Sequence, residues 1–421
     1  MKVLMVNTSE RTGGAAVACH RLLDALNKQG IEATMLVRDK QTRNPHVIAL
    51  PKPLYMKLCF LYERFVIWAT NRFSRRNLFT VSIANAGMDI TRTKAFKEAD
   101  IIHLHWINQG MLSLKGIRKI LASGKPVVWT MHDMWPLTAI CHHAQGCNRY
   151  QTACQACPYL RFPSKNDLSH RVFNQKKEVY AQGNLHMVAV SRWLTTLAKQ
   201  SNLLKGKEVT TIHNALSLND FQPIAKADAR KRLQLPDKHL IAFGAARIDD
   251  AIKGFDYLLE AIQALIRRGD FKQDELHLLL FGGIKDAKRL AEVPVSYTYF
   301  GHIEEKEQLS ALYSAADVTI SASRYETFGQ TLAEAQACGC LPVSFGNSGQ
   351  TDIITHKVDG YLAKAYDTGD LANGIAWALR EGKATISPTH LRQSVVQRFS
   401  SEVIANKYAQ LYEQLITPSH E

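Results

Sequence analysis

The sequence predicts an α/β protein built of two doubly wound parallel-sheet units. Three observations carry this. The chain has 421 residues, beyond the roughly 250–300 at which a single core stops growing. Short apolar runs alternate with stretches of helical periodicity, which is the pattern of βα units. The alternation pauses once at a polar stretch and then restarts. A content of 46% hydrophobic and 21% charged residues describes a folded globular chain rather than a disordered one.

Met1–Asn7 reads as a short buried strand. The loop SERTGGAA follows, then a helix to about Gln29 with Val17, Leu22, Leu23 and Leu26 at helical spacing. EATMLVRD is the second strand. IIHLHW (Ile101–Trp106) and PVVWTMHD (Pro126–Asp133) are further buried strands, separated by the helical SLKGIRKILAS. LHMVAVS leads into the helix RWLTTLAKQS. The polar stretch LSLNDFQPIAKADARKRLQLPDK then interrupts, and the boundary is expected there. HLIAFGAARI, LHLLLFGG, YTYFGHI, VTISAS and LPVSFG are strands of the second unit, with helices from Gly254, across Glu305–Ala316 and to Gly339. The expected organisation is residues 1–214, residues 215–390, and a terminal helix over 391–421 that packs back on the first unit.

Leu54–Phe79 breaks the pattern. It is rich in Leu, Phe, Trp and Tyr and carries Lys57, Arg64, Arg72, Arg75 and Arg76. A basic, aromatic-rich amphipathic helix suits a membrane surface, and a packed helix with a solvated face has the same composition. The N-terminus lacks the apolar core and cleavage site of a signal peptide. No run approaches the roughly 18 apolar residues of a membrane span. The expected location is therefore the cytosol, where thiols stay reduced, with peripheral contact on the membrane. The net charge of +14 favours anionic partners without choosing among them.

Ligands of open parallel sheets bind beyond the carboxyl ends of the strands. There the first unit offers Gly13 and Gly14 before a helix N-terminus, a place that suits an anion. This is not GxGxxG. The second unit offers Arg247 at a strand end and Lys253 just before a helix. Two such cations suit a diphosphate, although surface cations at loop ends are common. In SRYETFGQTLAEAQACGCLPVSFG, Glu326 and Glu334 have seven residues between them across a strand-to-helix turn. Thr327 is the expected N-cap and Gly329 keeps the turn tight. Carboxylates so placed suit the vicinal hydroxyls of a sugar or a ribose, or simply solvent.

The E-x7-E stretch, followed by A-x-A-C-G-C-L-P-V, resembles the retaining family-4 glycosyltransferases of the GT-B fold. Their fold is two Rossmann-like domains facing a cleft. The Arg247/Lys253 pair, the Gly13-Gly14 loop and the terminal helix fall where that family has them. The resemblance covers nearly the whole chain and is weakest between about residues 40 and 100. It implies a hexosyl transfer from a nucleotide-diphosphate sugar to a glycan, lipid-linked, in cell-surface polysaccharide biosynthesis. Gly13 and Gly14 would face the donor. Arg247 and Lys253 would neutralise the diphosphate leaving group. Glu326 would hold donor-sugar hydroxyls, with the amides of Thr327, Phe328, Gly329 and Gln330 closing on sugar and phosphate. Glu334 would bind the ribose. His132 matches the family's histidine near the reacting side of the sugar, with Asp133 beside it. His103 reads as a structural histidine and His105 stays open. The loop FGNSGQTDII carries Asn347, Ser348 and Gly349 where the family often has Gly-Gly. The sequence holds no D-x-D pair for a divalent ion, so no catalytic metal is expected.

CHHAQGCNRYQTACQACP (Cys141–Pro158) holds four of the eight cysteines. Cys141, Cys147, Cys154 and Cys157 have the spacing C-x5-C-x6-C-x2-C. Four thiolates make a closed zinc site and the final C-x2-C is a knuckle spacing; His142 or His143 could replace Cys141. Buried thiols, a disulfide or a reactive thiol are the alternatives. Some polysaccharide glycosyltransferases resembling this chain carry a similar run. Two other functions fit parts of the sequence. One is a GT-B-like nucleotide-sugar epimerase. The other is a basic nucleic-acid-binding protein, although the sequence has no recognised nucleic-acid motif and no such partner is expected.

Overall fold

The computed structural model describes residues 1–417. It divides into two compact units, Met1–Ala215 with the chain from Ile404 onward, and Leu216–Val403. Unit 1 runs β1 (Lys2–Ser9), α1 (Gly14–Lys28), β2 (Glu32–Asp39), β3 (Val47–Ala49), α2 (Pro53–Thr70), α3 (Lys94–Glu98), β4 (Ile101–Leu104), α4 (Leu114–Leu121), β5 (Val127–Met131), α5 (Leu168–Tyr180), β6 (Leu185–Ala189), α6 (Arg192–Gln200) and β7 (Val209–Thr211). Its seven strands lie in the order β3-β2-β1-β4-β5-β6-β7, and every pairing is parallel.

Unit 2 runs α7 (Lys226–Arg232), β8 (His239–Arg247), α8 (Phe255–Arg267), β9 (Leu276–Gly283), β10 (Ser296–Tyr299), α9 (Lys306–Ala315), β11 (Val318–Ser321), α10 (Gln330–Ala337), β12 (Leu341–Phe345), β13 (Tyr361–Ala363), α11 (Thr368–Trp377), α12 (Lys383–Thr385) and α13 (Pro388–Phe399). Its six parallel strands lie in the order β10-β9-β8-β11-β12-β13. The predicted fold class is thus what the chain adopts.

Central strands are buried on both faces because helices cover both sides. All five residues of β5 and of β12 are buried, so these strands read as continuous apolar runs rather than alternating ones. Strand order reverses between β1 and β4 in unit 1 and between β8 and β11 in unit 2. At such a switch the loops leaving neighbouring strands part in opposite directions and open a crevice at the carboxyl edge. The Gly13-Gly14 loop follows β1 and His105 follows β4. Arg247 ends β8, and Glu326 follows β11.

The single helix expected over 391–421 is two helices, α13 and α14 (Ser401–Ile416); residues 418–421 lie outside the described residues. Ser400 makes the break. It pairs in extended conformation with Leu216, and its Oγ accepts the Val403 N–H at 3.3 Å as a cap for α14. α13 belongs to unit 2, where Arg398 donates to the carbonyl of Ile353 at 2.9 Å and pairs with Asp359 at 3.1 Å. From Ile404 onward α14 belongs to unit 1. Ile404, Ala405, Tyr408 and Tyr412 are part of its core. Tyr408 Oη lies 2.8 Å from Thr130 Oγ1, and Tyr412 Oη lies 2.7 Å from His103 Nδ1. Among the described residues no helix is long and apolar enough to cross a membrane.

Candidate active site

In unit 2 the charged residues gather at the switch point. Lys253 Nζ donates to Glu326 Oε1 at 2.7 Å, and Ser323 Oγ donates to the same oxygen at 2.8 Å. One carboxylate is therefore held from β11's own exit loop and from the loop after β8. Three hydrogen bonds fix these loops. The Arg324 N–H donates to the Ile252 carbonyl at 2.8 Å. The Glu326 N–H donates to Ser348 Oγ at 3.0 Å, and its carbonyl accepts the Gly349 N–H at 2.8 Å. A methyl at Gly349 would lie 2.3 Å from the Thr327 carbonyl oxygen, so the loop after β12 can close on Glu326 only with glycine there. Asn347 Nδ2 adds a bond to the Arg324 carbonyl at 2.8 Å. This loop is how the chain differs from the Gly-Gly form. Ser348 and Asn347 anchor the strand-end loops, which the sequence alone did not reveal.

Lys253 sits directly before Gly254, the cap of α8, which has φ +71°. Arg247 is about half exposed and pairs with Asp250 at 3.0 Å and Asp249 at 3.4 Å. Burial pushes the Asp249 carboxyl up, but the Asp286 and Lys285 N–H groups, with Arg247, outweigh it and lower the pKa. Both cations thus stand at one strand edge, each held by a carboxylate. α10 opens at Gln330 with Gly329 as its cap, so the expected cap at Thr327 is corrected. The Thr327 carbonyl lies against Gly349, and the chain turns two residues later. Glu334 lies in the second turn of α10 and is 6% exposed.

In unit 1 a chain of histidines lies at the carboxyl edge of β4 and β5. His103 is fully buried and bonds Tyr412 through Nδ1 and Thr130 through Nε2, the latter at 2.7 Å. It is a satisfied structural histidine that ties α14 to the sheet. His105 Nδ1 lies 2.9 Å from His132 Nε2, while His105 Nε2 is buried without a partner. Burial lowers the pKa of His103 to about 3, helped by His132, and that of His132 to about 4. Burial also drives His105 well below its ordinary value. His132 is therefore a neutral ring at pH 7, able to share a hydrogen bond but not to carry charge.

These shifts set the acid limb of stability. Each histidine binds its proton less well folded than unfolded, so the contribution is present above 6.5 and is lost as pH falls through about 4 for His132 and about 3 for His103. Thermal unfolding should show Tm falling through that window, with a shallower fall in His103→Gln. A Tm flat across it would contradict the assignment.

Asp133 takes its hydrogen bonds from outside this chain of rings. Its Oδ2 accepts from Trp106 Nε1 at 2.8 Å and from His142 Nδ1 at 2.6 Å, and its Oδ1 accepts the Trp135 N–H at 2.8 Å. Burial would raise its pKa, but His142, His143 and the Trp135 N–H bring it to about 2. Asp133 anchors the start of the cysteine-rich loop. His142 Nε2 lies 3.0 Å from Ser82 Oγ, so both its ring nitrogens are engaged and it is no ligand. Lys176 is a second anchor that the sequence did not disclose. It is fully buried on α5, and its Nζ donates to the carbonyls of Trp135 at 2.6 Å and Thr138 at 2.9 Å.

Cys141, Cys147, Cys154 and Cys157 all line one cavity of about 20 Å³. Among the described residues, no group of three or more His, Cys, Asp or Glu side chains is placed to hold a metal ion. Every described cysteine is free, so no disulfide joins any of them; the zinc site expected at Cys141, Cys147, Cys154 and Cys157 is an expectation for metal analysis of the purified protein to test. The loop is held by Asp133, by Thr138 Oγ1 on the Cys141 carbonyl at 2.6 Å, and by Asp167 on the Cys157 N–H at 2.8 Å. Burial raises the thiol pKa to about 12 at Cys141 and Cys157 and about 11 at Cys154.

The fold and the charged switch point leave the chemistry open, and comparison with known proteins gives the family. Residues 12–220 match the model described as Glycosyltransferase Family 4, and residues 225–394 the model described as Glycosyl transferases group 1. The chain belongs to the glycosyltransferases that pair these two domains, with the GT-B fold. A D-inositol 3-phosphate glycosyltransferase of Saccharomonospora viridis is 26% identical over 339 residues, covering 77% of this chain and 73% of that one. The putative colanic acid biosynthesis glycosyl transferase WcaC of Escherichia coli is 22% identical over 428 residues, covering 99% of this chain and 100% of its own. Among solved structures, a sucrose-phosphate synthase from Thermosynechococcus elongatus matches with TM-score 0.69 at 22% identity over 98% of both chains. Anabaena Alr3699/HepE in complex with UDP-glucose matches with TM-score 0.64 at 17% identity, over 98% of this chain and 100% of that one.

Proposed function

We propose that the enzyme transfers a hexosyl group, with retention, from a nucleotide-diphosphate sugar to a lipid-linked glycan in polysaccharide biosynthesis. The observation that carries this is the 2.7 Å Lys253–Glu326 pair at the unit 2 switch point, with Arg247 on the neighbouring strand end. A cation there meets the negative charge that grows on a departing diphosphate. The carboxylate beside it accepts from sugar hydroxyls. Glu334, one helix turn deeper, suits the ribose. WcaC, named for colanic acid biosynthesis, matches this chain almost end to end, and HepE was solved with UDP-glucose.

In the reaction, the bond from the anomeric carbon to the diphosphate oxygen breaks as the acceptor hydroxyl oxygen bonds on the same face. The acceptor proton passes to the departing diphosphate oxygen. Oxocarbenium-like charge builds on the sugar while Lys253 and Arg247 stabilise the diphosphate. Fixed charges aimed at developing charge are often the largest catalytic contribution. Neutral His132 and the Gly13-Gly14 loop of unit 1 are assigned to the sugar and the donor. With these cations in that role and no D-x-D pair in the sequence, transfer should persist in EDTA. NMR of the product formed in chelator should show the donor's anomeric configuration. An inverted product, or immediate loss of activity restored by Mg²⁺ or Mn²⁺, would overturn the mechanism.

A further inference from the structure

We propose that the outer face of α2, with the turns that follow it, docks on an anionic lipid surface. The helix is not amphipathic in the expected sense, because it is apolar on two opposite sides. Met56, Cys59 and Ile67 face the protein together with the ion pair Glu63–Arg64. On the other side Leu54, Tyr55, Leu58, Leu61, Tyr62 and Phe65 are each 49–70% exposed. At about 100° per residue these six fall within a stripe about 120° wide. Phe73, Phe79 and Phe162 extend the patch beyond the helix end, where Arg72 stacks over Phe162 at 4.2 Å. Nine of the fifteen large apolar side chains exposed among the described residues are in this one patch. Scattered exposed apolar residues need no explanation, but a contiguous patch signals something that covers it.

Charge selects the occupant. Lys52 and Lys57 stand at the start of the helix, and Arg72, Arg75 and Arg76 follow its end, all exposed. The one acidic residue between positions 52 and 79 is Glu63, which is buried, accepts the N–H groups of Ile83 and Ala84 at 2.7 and 2.8 Å, and pairs with Arg64 at 2.9 Å. The exposed patch is thus apolar with a cationic border and no exposed acid in that segment. A second copy of this chain would bring the same cations face to face across a two-fold contact, with no carboxylate to meet them. A bilayer with anionic headgroups satisfies both features: acyl chains take the stripe, and phosphates meet the lysines and arginines.

The full chain should float with vesicles of phosphatidylcholine mixed with phosphatidylglycerol, and much less with phosphatidylcholine alone. The double variant Leu58→Glu/Phe65→Glu should cut the bound fraction about tenfold or more, at unchanged Tm and unchanged turnover of a short water-soluble acceptor. Arg75→Glu/Arg76→Glu should cut binding to the anionic vesicles by about tenfold and leave the weak binding to neutral ones. Equal binding of wild type and L58E/F65E would overturn the proposal. So would a wild-type chain that ignores both vesicles, whether it sediments as a monomer or as a dimer that L58E/F65E dissociates. The assay does not depend on the donor, so its failure leaves the transfer reaction standing.

Discussion

Lys253→Ala and Glu326→Gln should each lower kcat by about 10²–10³ while the protein keeps its fold. Lys253 is partly exposed, and its Nζ bonds one carboxylate oxygen, Glu326 Oε1, at 2.7 Å. Removing the amine deletes no core packing. It removes the charge that stabilises the departing diphosphate, and it frees the carboxylate to turn on its remaining Ser323 bond. Glu326→Gln keeps the size of the side chain and the Ser323 contact but takes away the charge that orients Lys253. The two residues act as one device, so the double variant should fall little further than either single one. Multiplicative losses in the double variant would show that they work separately.

Gly254→Ala should destabilise unit 2 by about 3 kcal/mol and remove activity with it. A methyl group there would sit 1.9 Å from the Ala322 carbonyl oxygen, in a backbone with φ +71° that L side chains rarely adopt. Ala322 directly follows β11 and precedes Ser323, the donor to Glu326. Moving the chain apart at Gly254 therefore displaces Lys253 from one side of the ion pair and Ser323 from the other. Lys253→Ala and Glu326→Gln should leave Tm alone; this one should lower both Tm and turnover. A wild-type Tm in Gly254→Ala would show that the close approach is not what positions the pair.

Much of the fold was legible because its physics is local. Strands such as VVWTM and LPVSF are buried on both sides, so they appear as unbroken apolar runs. The turn after VTISAS was placed between Glu326 and Glu334, though its cap is Gly329 rather than Thr327. What the sequence hid depends on contacts between distant residues. Ser348 looks like any loop serine until it accepts the Glu326 N–H. Lys176 looks like a solvated cation in a helical stretch, yet it is buried against two carbonyls of residues 135 and 138. The cysteine spacing allowed four thiols to converge, and all four line one cavity, but spacing alone does not show which other bonds hold the loop. In α2 the cations suggested a polar face. They instead cluster toward the helix ends, and both long sides are apolar.

The most direct measurement is release of nucleoside diphosphate from a panel of nucleotide-diphosphate sugars, followed for the wild type and for Lys253→Ala and Glu326→Gln. The account predicts that at least one donor is consumed by the wild type in step with glycosylated product, and that both variants, folded to the same Tm, release it about 10²–10³ times more slowly. Full release by both variants, or a wild type that consumes no nucleotide sugar with any glycan acceptor, would contradict it.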